Sequence, residues 1–322
     1  MLFAPSETQA FGRSLSACLD LPLASHEERE FDGGEHKLRS LVSVRGRSVY
    51  LVQSLCGDSL RSANDRLCRL LFFAGSLKEA GAASVTACIP YLAYARKEVR
   101  TKARDPVTSR YVAQLIEAIG ICRIIVLEAH NRAAVDNAFR IESLHLEATA
   151  SFVAHFAERL KSLDVCVLSP DIGGVKRARH FKELLDMRLG RSAAFAFMDK
   201  KRSEGRLSGD TLVGDVRGRG VILLDDLISS GSTILRSVDA CRAAGAARVD
   251  VAATHCAFNP QARRLFEPGG PDSVVSTDSI ALDSAYACYV GNRLQILSAA
   301  PLFAEAIRRL ETGGSLSELA GL

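Results

Sequence analysis

The chain has 322 residues, of which 48% are hydrophobic, and it carries a formal net charge of +4 with a pI near 8.6. A chain of this length and apolar content can bury two ordinary hydrophobic cores, so two domains of roughly 150 residues each are expected. The positive charge is too small to indicate a nucleic-acid partner, although it is compatible with small polyanionic substrates.

Nine cysteines are dispersed along the sequence without a Cys-x-x-Cys pair. This usage is typical of reduced thiols that fill a core, and it argues against a disulfide framework. No apolar run reaches the roughly 18 residues that a membrane-spanning helix needs, and the first residues do not have the layout of a signal peptide. The sequence therefore predicts a cytoplasmic protein without a membrane partner.

Short apolar runs alternate with longer amphipathic stretches along the whole chain. The runs predict β-strands at residues 49–52, 84–89, 123–127, 165–168, 193–198, 221–224, 249–254 and 273–277. The stretches between them predict helices, for instance at residues 67–80, 109–119 and 232–243. Alternation of this kind predicts an α/β fold in which each half is a mainly parallel sheet flanked by helices.

No low-complexity segment or long linker separates the two halves. The boundary is expected within residues 146–152, which gives a first domain at residues 1–147 and a second domain at residues 148–300. A final helix within residues 301–318 is expected to fold back onto the first domain.

A repeated segment indicates that the two halves are copies of one α/β unit. Residues 45–55 and 217–227 each begin with a Gly-Arg turn and continue as a short apolar run, and each is followed after a helical stretch by Ala-Gly-Ala-Ala-x-Val. The copies differ where their strands end, at Gln53-Ser54 in the first and Asp225-Asp226 in the second. Because ligands of open parallel sheets bind beyond the carboxyl ends of the strands, the second copy is expected to carry the chemistry.

The segment at residues 223–233 has the features of a phosphate site. Its small residues let backbone amides approach an anion at a helix N-terminus, and Ser230, Ser232 and Thr233 add hydroxyl donors. The two carboxylates beside this cradle can hold vicinal ribose hydroxyls or organise a metal ion. An acidic strand end with an N-capping serine is the simpler interpretation, but it does not explain why the strand, the paired acids and the cradle occur together in register.

On these residues the sequence resembles the phosphoribosyl diphosphate-binding motif of type I phosphoribosyltransferases. It resembles still more closely the ribose-phosphate pyrophosphokinases, in which that fold occurs twice. Four further segments match motifs of this family in the same order: Pro-Tyr-x-x-Tyr-x-Arg at residues 90–96, Asp-x-His at 128–130 with Glu128 for aspartate, Ser-Pro-Asp-x-Gly-Gly at 169–174, and Asp-Lys-Arg-Arg at 199–202 with Lys201 for the first arginine. Some of these matches are weak alone, but their shared order is highly specific.

The resemblance implies an enzyme built from two tandem phosphoribosyltransferase-like domains, with the ribose 5-phosphate site in the second. It would transfer the diphosphoryl group of Mg-ATP to the C1 hydroxyl of ribose 5-phosphate, giving phosphoribosyl diphosphate and AMP for nucleotide biosynthesis. Mg²⁺ is the implied cofactor, and a homodimer-based oligomer, hexameric in many family members, is the implied assembly. Two alternatives remain open: a non-catalytic or regulatory paralogue of such a synthase, and a phosphoribosyltransferase that consumes phosphoribosyl diphosphate.

Matching positions also imply roles for individual residues. The implied roles are catalysis by Lys200 and Arg202; ribose 5-phosphate binding by Asp225, Asp226, Ser229, Ser230, Gly231, Ser232 and Thr233; ATP binding by Phe31, Glu35, Arg96 and Lys97; a diphosphate loop with Asp171, Gly173 and Gly174; and metal binding by His130 and Asp171. Cations suit a phosphoryl transition state because it spreads negative charge over oxygens. The polar stretch at residues 203–214 is expected to be a mobile loop that closes over substrate.

The sequence departs from the family where it would contact the nucleotide. Residues 31–35 read Phe-Asp-Gly-Gly-Glu in place of the family's usual Phe-x-Asp-Gly-Glu, and Lys97 and Glu98 follow Arg96 where the family commonly has glutamine and acids. Ser229 stands where many members carry aspartate. The sequence therefore does not fix the nucleotide donor.

Overall fold

A computed structural model of the chain describes residues 1–203, 206–316 and 319, with side chains described outside residues 200–210. These residues form two compact units. Unit 1 comprises Met1–Glu147, Ser279–Ala281 and the described part of the chain from Ser298 onward, and unit 2 comprises Ala148–Asp278 and Leu282–Leu297.

Unit 1 is built on a five-stranded parallel sheet with the order β1-β4-β5-β6-β7. Its strands are β1 (Leu2–Phe3), β4 (Ser48–Val52), β5 (Ser84–Ile89), β6 (Arg123–Leu127) and β7 (Glu142–Leu146). A separate antiparallel hairpin consists of β2 (His26–Glu30) and β3 (His36–Ser40). The helices are α1 (Gln9–Leu19), α2 (Ala63–Glu79), α3 (Thr108–Ala118), α4 (Arg132–Ala138) and α9 (Ala300–Thr312).

Unit 2 contains a seven-stranded sheet with the order β10-β9-β8-β11-β12-β13-β14. Its strands are β8 (Val165–Ser169), β9 (Ala194–Ser203), β10 (Arg206–Val213), β11 (Gly220–Ile228), β12 (Arg248–Cys256), β13 (Ser273–Thr277) and β14 (Leu294–Leu297). All neighbours are parallel except β9 and β10. The helices are α5 (Thr149–Arg159), α6 (Val175–Leu189), α7 (Ser232–Ala243) and α8 (Ser284–Val290).

The central strands are continuous apolar runs because helices cover both faces of a parallel sheet. Val49 and Leu51 on β4 are fully buried, as are Val221 and Leu223 on β11. The α/β fold with mainly parallel sheets, predicted from this pattern, is therefore confirmed. No helix among the described residues combines the length and the apolar character that crossing a membrane requires.

The two units repeat one another in backbone detail. The order β1-β4-β5-β6-β7 in unit 1 corresponds to β8-β11-β12-β13-β14 in unit 2, and each unit inserts an antiparallel hairpin between the first two of these strands. The Gly-Arg turns before β4 and β11 have φ values of 68° at Gly46 and 69° at Gly218. Gly46 donates a 2.8 Å backbone hydrogen bond to Gly81, and Gly218 donates one of 2.8 Å to Gly245. The sequence repeat therefore corresponds to a structural repeat.

The last helix of the chain, α9, belongs to unit 1. The Phe303 ring lies 5.4 Å from the Phe11 ring of α1 in an edge-to-face contact. The Tyr50 hydroxyl on β4 donates a 2.7 Å hydrogen bond to Glu311 Oε1. Unit 1 thus combines the beginning and the end of the described chain.

The prediction of a loop at residues 203–214 is wrong, because most of this stretch forms β10. The backbone pairs antiparallel with β9, with Leu212 opposite Met198 and Thr211 opposite Asp199. Leu212 packs against the core of unit 2 and Val216 is buried in it, which ties the strand to the sheet. Backbone pairing and this apolar anchor therefore override the polar composition that suggested a loop.

All nine cysteines are free thiols. Cys166, Cys241 and Cys256 are buried within the core cluster of unit 2, where they pack as small apolar side chains.

Candidate active site

Two acids lie at the carboxyl end of the central strand of unit 2. Strand β11 pairs with β8 on one side and β12 on the other, and Asp225 and Asp226 lie in its last part, directly after the buried run at residues 220–224. Asp226 is only 6% exposed, and its backbone amide donates a 2.9 Å hydrogen bond to Asp225 Oδ1. The predicted pair of acids is therefore a compact, largely buried feature at one end of the sheet.

Burial dominates the electrostatics of these acids. It raises the pKa of Asp225 from 3.8 to about 8, with further contributions from the hydrogen bond and the charge of Asp226. The Arg177 guanidinium opposes this shift and lies 3.6 Å from Asp226, measured between Nη1 and Oδ1. The raised pKa therefore favours the protonated Asp225 carboxyl, which can donate a hydrogen bond beside the Asp226 carboxylate.

The predicted phosphate cradle follows directly after β11. Gly231 is the N-cap of α7 with a left-handed φ of 72°, and no side chain caps this helix end. The Ser230 and Ser232 hydroxyl oxygens lie 2.9 Å apart, and Ser229 and Ser232 are exposed. Thr233 is half-buried in the first turn of α7. The helix end therefore offers backbone and hydroxyl donors to an anion.

A second loop, at the end of β8, supports the diphosphate prediction. Asp171 Oδ1 accepts a 2.9 Å hydrogen bond from the Gly174 amide, and the Ser169 hydroxyl donates one of 2.7 Å to the Asp171 carbonyl. A Cβ atom at Gly174 would lie 2.7 Å from Ser169 Oγ, so this tight turn leaves no space for a side chain. Gly173 is exposed beside it, and Gly174 is the N-cap of α6. Unit 2 therefore brings this loop and the acids to the same edge of one sheet.

In unit 1, His130 lies in the turn between β6 and α4. Its side chain is exposed, and the preceding Glu128 adopts a left-handed φ of 42° while its amide donates a 2.8 Å hydrogen bond to Leu146. Asn131 caps α4 by accepting a hydrogen bond from the Ala134 amide at 3.3 Å. His130 therefore lies just beyond a strand end, and its role in metal binding stays a prediction.

The nucleotide segment after β5 is an ordered loop. The Lys97 amide donates to the Tyr94 carbonyl at 2.9 Å, and both Arg96 and Lys97 are exposed. Glu98 Oε1 accepts a 3.0 Å hydrogen bond from Asn131 Nδ2, which links this loop to the turn that contains His130. Sequence reasoning did not identify this link, because nothing in either segment indicates that they meet.

Phe31 lies at the tip of the hairpin formed by β2 and β3. It is 42% exposed, and its amide donates a 2.8 Å hydrogen bond to the carbonyl of Glu35, whose side chain is exposed. The Arg29 guanidinium lies 5.1 Å from the centre of the Phe31 ring. An exposed aromatic ring with a cation nearby can stack with a nucleobase.

The predicted catalytic side chains of Lys200 and Arg202 lie outside the described residues. The backbone places Lys200 opposite Asp210, and Arg202 opposite Leu207, on neighbouring strands of the β9–β10 hairpin. Their catalytic roles remain predictions.

Within the described part of the chain, no group of three or more His, Cys, Asp or Glu side chains could hold a metal ion. The donors expected to bind a metal are the Asp171 carboxylate in unit 2 and the His130 imidazole in unit 1. An oxygen donor such as Asp171 fits Mg²⁺, which usually keeps several waters and substrate phosphates as ligands instead of a cage of protein side chains. The Asp171 carboxylate therefore fits a magnesium ion that is held largely by its substrate, and metal binding by His130 stays a prediction.

Comparisons with known proteins match one enzyme family over 99% of this chain. A family model described as the N-terminal domain of ribose phosphate pyrophosphokinase matches residues 1–120, and one described as the phosphoribosyl synthetase-associated domain matches residues 200–320.

Two curated relatives, both named ribose-phosphate pyrophosphokinase, come from Caldanaerobacter subterraneus subsp. tengcongensis and Helicobacter hepaticus. The first is 34% identical over 99% of this chain and 96% of its own length, and the second is 35% identical over 99% and 98%. The crystal structure of phosphoribosylpyrophosphate synthetase from Mycobacterium smegmatis is similar with a TM-score of 0.87, at 30% identity over 98% of this chain and 99% of that one.

Proposed function

The chain belongs to the ribose-phosphate pyrophosphokinase family, and we propose that its second unit binds ribose 5-phosphate at the acids near the end of β11 and the cradle that follows this strand. The family transfers the diphosphoryl group of ATP to the C1 hydroxyl of ribose 5-phosphate, which gives phosphoribosyl diphosphate and AMP. The observation that carries the site assignment is the largely buried pair Asp225 and Asp226 beside an uncapped helix N-terminus.

Each part of this edge has a task in sugar binding. The N-terminus of α7 and the hydroxyls of Ser230, Ser232 and Thr233 bind the 5-phosphate, because unpaired amides and the helix dipole favour an anion there. The acids bind the vicinal hydroxyls, with the protonated Asp225 able to donate and Asp226 able to accept. These contacts hold the sugar in one orientation while its C1 hydroxyl reacts.

The remaining residues act on the diphosphate and the nucleotide. The backbone of Gly173 and Gly174 approaches the diphosphate closely, and Lys200 and Arg202 stabilise the charge that develops on the phosphoryl oxygens. Phe31 stacks the base, Arg96 and Lys97 contact phosphates, and Glu35 lies on the same hairpin as Phe31. Mg²⁺, assigned by resemblance to His130 and Asp171, supplies charge neutralisation on the phosphates when bound.

A non-catalytic paralogue is the competing function that one observation favours. Gly33 stands at the tip of the nucleotide hairpin where the family has aspartate, and the aspartate of this chain, Asp32, lies one place earlier in that loop. The acids, the cradle and the diphosphate loop support activity, since a paralogue without catalysis would not need them in register.

The decisive experiment measures the reaction directly. Purified protein is incubated with ribose 5-phosphate, Mg²⁺ and ATP, dATP, GTP or CTP, and release of the nucleoside monophosphate is followed. We expect AMP release that depends on ribose 5-phosphate. No monophosphate release from any donor, together with intact sugar-phosphate binding, would favour the paralogue. The same assay identifies the donor nucleotide, which the altered hairpin leaves open.

We also propose a homodimer-based oligomer, with a hexamer as the larger assembly that is common in the family. Static light scattering over a hundredfold range of protein concentration tests this proposal. A monomer at every concentration would contradict it.

A further inference from the structure

The sequence predicts Arg177 only as a counter-charge near the diphosphate loop, together with Lys176. The first turns of α6 contain Lys176, Arg177 and Arg179, and of these Arg177 is half-buried, whereas the other two are exposed. A cation in the first turn of a helix is disfavoured by the helix dipole. Its inward position therefore requires a compensating negative charge.

That compensating charge comes from Asp226, near the end of β11. Arg177 Nη1 lies 3.6 Å from Asp226 Oδ1, and the side chains of these residues are 23% and 9% exposed. This ion pair joins α6 to the end of β11. An ion pair at such low exposure is weakly screened by solvent and salt, so the Arg177 charge acts strongly on the Asp226 carboxylate.

We propose that Arg177 is a positioning residue for ribose 5-phosphate: its guanidinium holds the Asp226 carboxylate in the orientation that receives a ribose hydroxyl. This inference rests on the proposed function of the same site. The interaction is indirect, since Arg177 acts on the sugar through Asp226 and not through the 5-phosphate. The diphosphate loop precedes α6, so the same helix carries both the loop and this contact to the acids.

The test compares Arg177→Met with Arg179→Met, a matched control on the same helix. The Arg179 guanidinium lies 4.8 Å from the centre of the Phe195 ring, and no ion pair with the acids is recorded for it in the described part of the chain. Binding of ribose 5-phosphate, 2-deoxyribose 5-phosphate and inorganic phosphate is measured by calorimetry without nucleotide. Because the deoxy sugar lacks one of the vicinal hydroxyls, it reports how much of any loss passes through the acids.

We expect Arg177→Met to weaken ribose 5-phosphate binding by about tenfold, as for loss of a charge-assisted contact. The effect on the deoxy sugar should be clearly smaller, inorganic phosphate should bind as before, and Arg179→Met should resemble the wild type. An equal loss for all three ligands would overturn the proposal, because it would indicate a direct phosphate contact or a structural role.

A second comparison applies even if Arg177→Met folds poorly. Arg177→Lys keeps the charge and should recover part of the affinity, and in an Asp226→Asn background the Arg177→Lys change should have no further effect on sugar binding. Full additivity of these changes would overturn the inference. Wild-type protein that binds no ribose 5-phosphate would overturn the proposed function together with the inference, whereas equal binding by wild type and Arg177→Met would overturn the inference alone.

Discussion

The ends of β4 and β11 are equivalent positions in the repeated unit, yet only the end of β11 combines two acids with an uncapped helix N-terminus. The last part of β11 contains Asp225 and Asp226, and the strand is followed by a helix whose N-terminus has no side-chain cap and no acid in its first turn. After β4 come Gln53 and Ser54, which are 0% and 4% exposed. The same strand order and the same entry turn therefore lead to an open helix N-terminus after β11 and to a buried strand end after β4.

The end of β4 is closed by its own chain. The Ser54 amide is already used as a hydrogen-bond donor, because it donates to Thr8 Oγ1 at 3.2 Å. The Ser54 hydroxyl donates to the Ser279 carbonyl at 2.7 Å. The next helix, α2, begins with a capping box in which Ser62 and Asp65 bond each other's backbone amides. An acid in the first turn and satisfied amides remove the attraction for an anion.

This comparison teaches that the binding edge depends on a few local residues and not on the architecture. The α/β unit supplies a strand end and a helix N-terminus in both copies. Capping and burial then decide whether that edge becomes a site or part of the core. The following predictions test the difference, beginning with the largest expected effect.

The hairpin joined to the main sheet occurs only in unit 2 among the described residues, and it carries Lys200. Lys200→Ala should lower turnover by a factor on the order of 10³ with little change in thermal unfolding, because a cation aimed at developing charge acts in the transition state. Steady-state kinetics check this, with Lys201→Ala as the control that removes the same charge one residue along β9. Unchanged turnover would remove Lys200 from the mechanism.

Placing an acid at the end of β4 should destabilise unit 1 instead of creating a second site. Gln53→Asp would bury a charge at a fully buried position, at a cost of about 3–5 kcal/mol in the free energy of unfolding. Gln53→Met is the matched control, and since Gln53 Oε1 has no hydrogen-bond partner it should be neutral or slightly stabilising. Urea unfolding measures both variants. A well-folded Gln53→Asp protein would contradict the proposed difference between the strand ends.

The cradle turn should tolerate a side chain less well than the entry turn of the same strand. Gly231 and Gly218 have φ values of 72° and 69°, but a Cβ at Gly231 would lie 2.7 Å from Leu265 Cδ1, whereas at Gly218 nothing lies within 4 Å. Gly218→Ala should cost about 1 kcal/mol and Gly231→Ala about 2 kcal/mol more. Thermal unfolding compares the two, and equal losses would mean that the Leu265 contact relaxes freely.

The acids at the end of β11 should make stability depend on pH. Burial raises the pKa of Asp225 from 3.8 to about 8, so between these values the folded protein binds a proton that the unfolded chain has lost. Stability should therefore fall as pH rises through this range, by about 1 kcal/mol per pH unit, relative to Asp225→Asn, which cannot titrate. Unfolding free energies of both proteins from pH 5 to pH 8 provide the check. A difference that does not change with pH would show that the site leaves Asp225 charged.

Much of the fold could be predicted because its central strands are long apolar runs. Each strand predicted from such a run overlaps an observed strand, whereas β1 has only two residues and β2 reads His-Glu-Glu-Arg-Glu, with no apolar pattern. The hairpin is instead stabilised by cross-strand pairs such as Arg39 and Glu27 at 2.7 Å. Local hydrophobicity carries no signal for such an element.

The candidate site also contains parts that a sequence pattern predicts and parts that depend on contacts between distant segments. The acids and the cradle are contiguous in sequence, so their pattern was sufficient to identify them. The orientation of Arg177 was not predictable, because Lys176, Arg177 and Arg179 look alike in the sequence and only packing turns one inward. The link between Glu98 and Asn131 joins segments 33 residues apart, and no short-range pattern predicts such a contact.

Unit 1 contains both α1 and α9, the first and the last α-helix of the described chain. The contacts of α9 with α1 and β4 come from residues near the end of the described chain, so the packing of the first-synthesised unit stays incomplete until α9 has been made. A nascent chain paused after residue 147 would expose the apolar surface that α9 later covers, including Phe11. Truncation of the last helix should thus harm the half of the protein made first, through aggregation during synthesis.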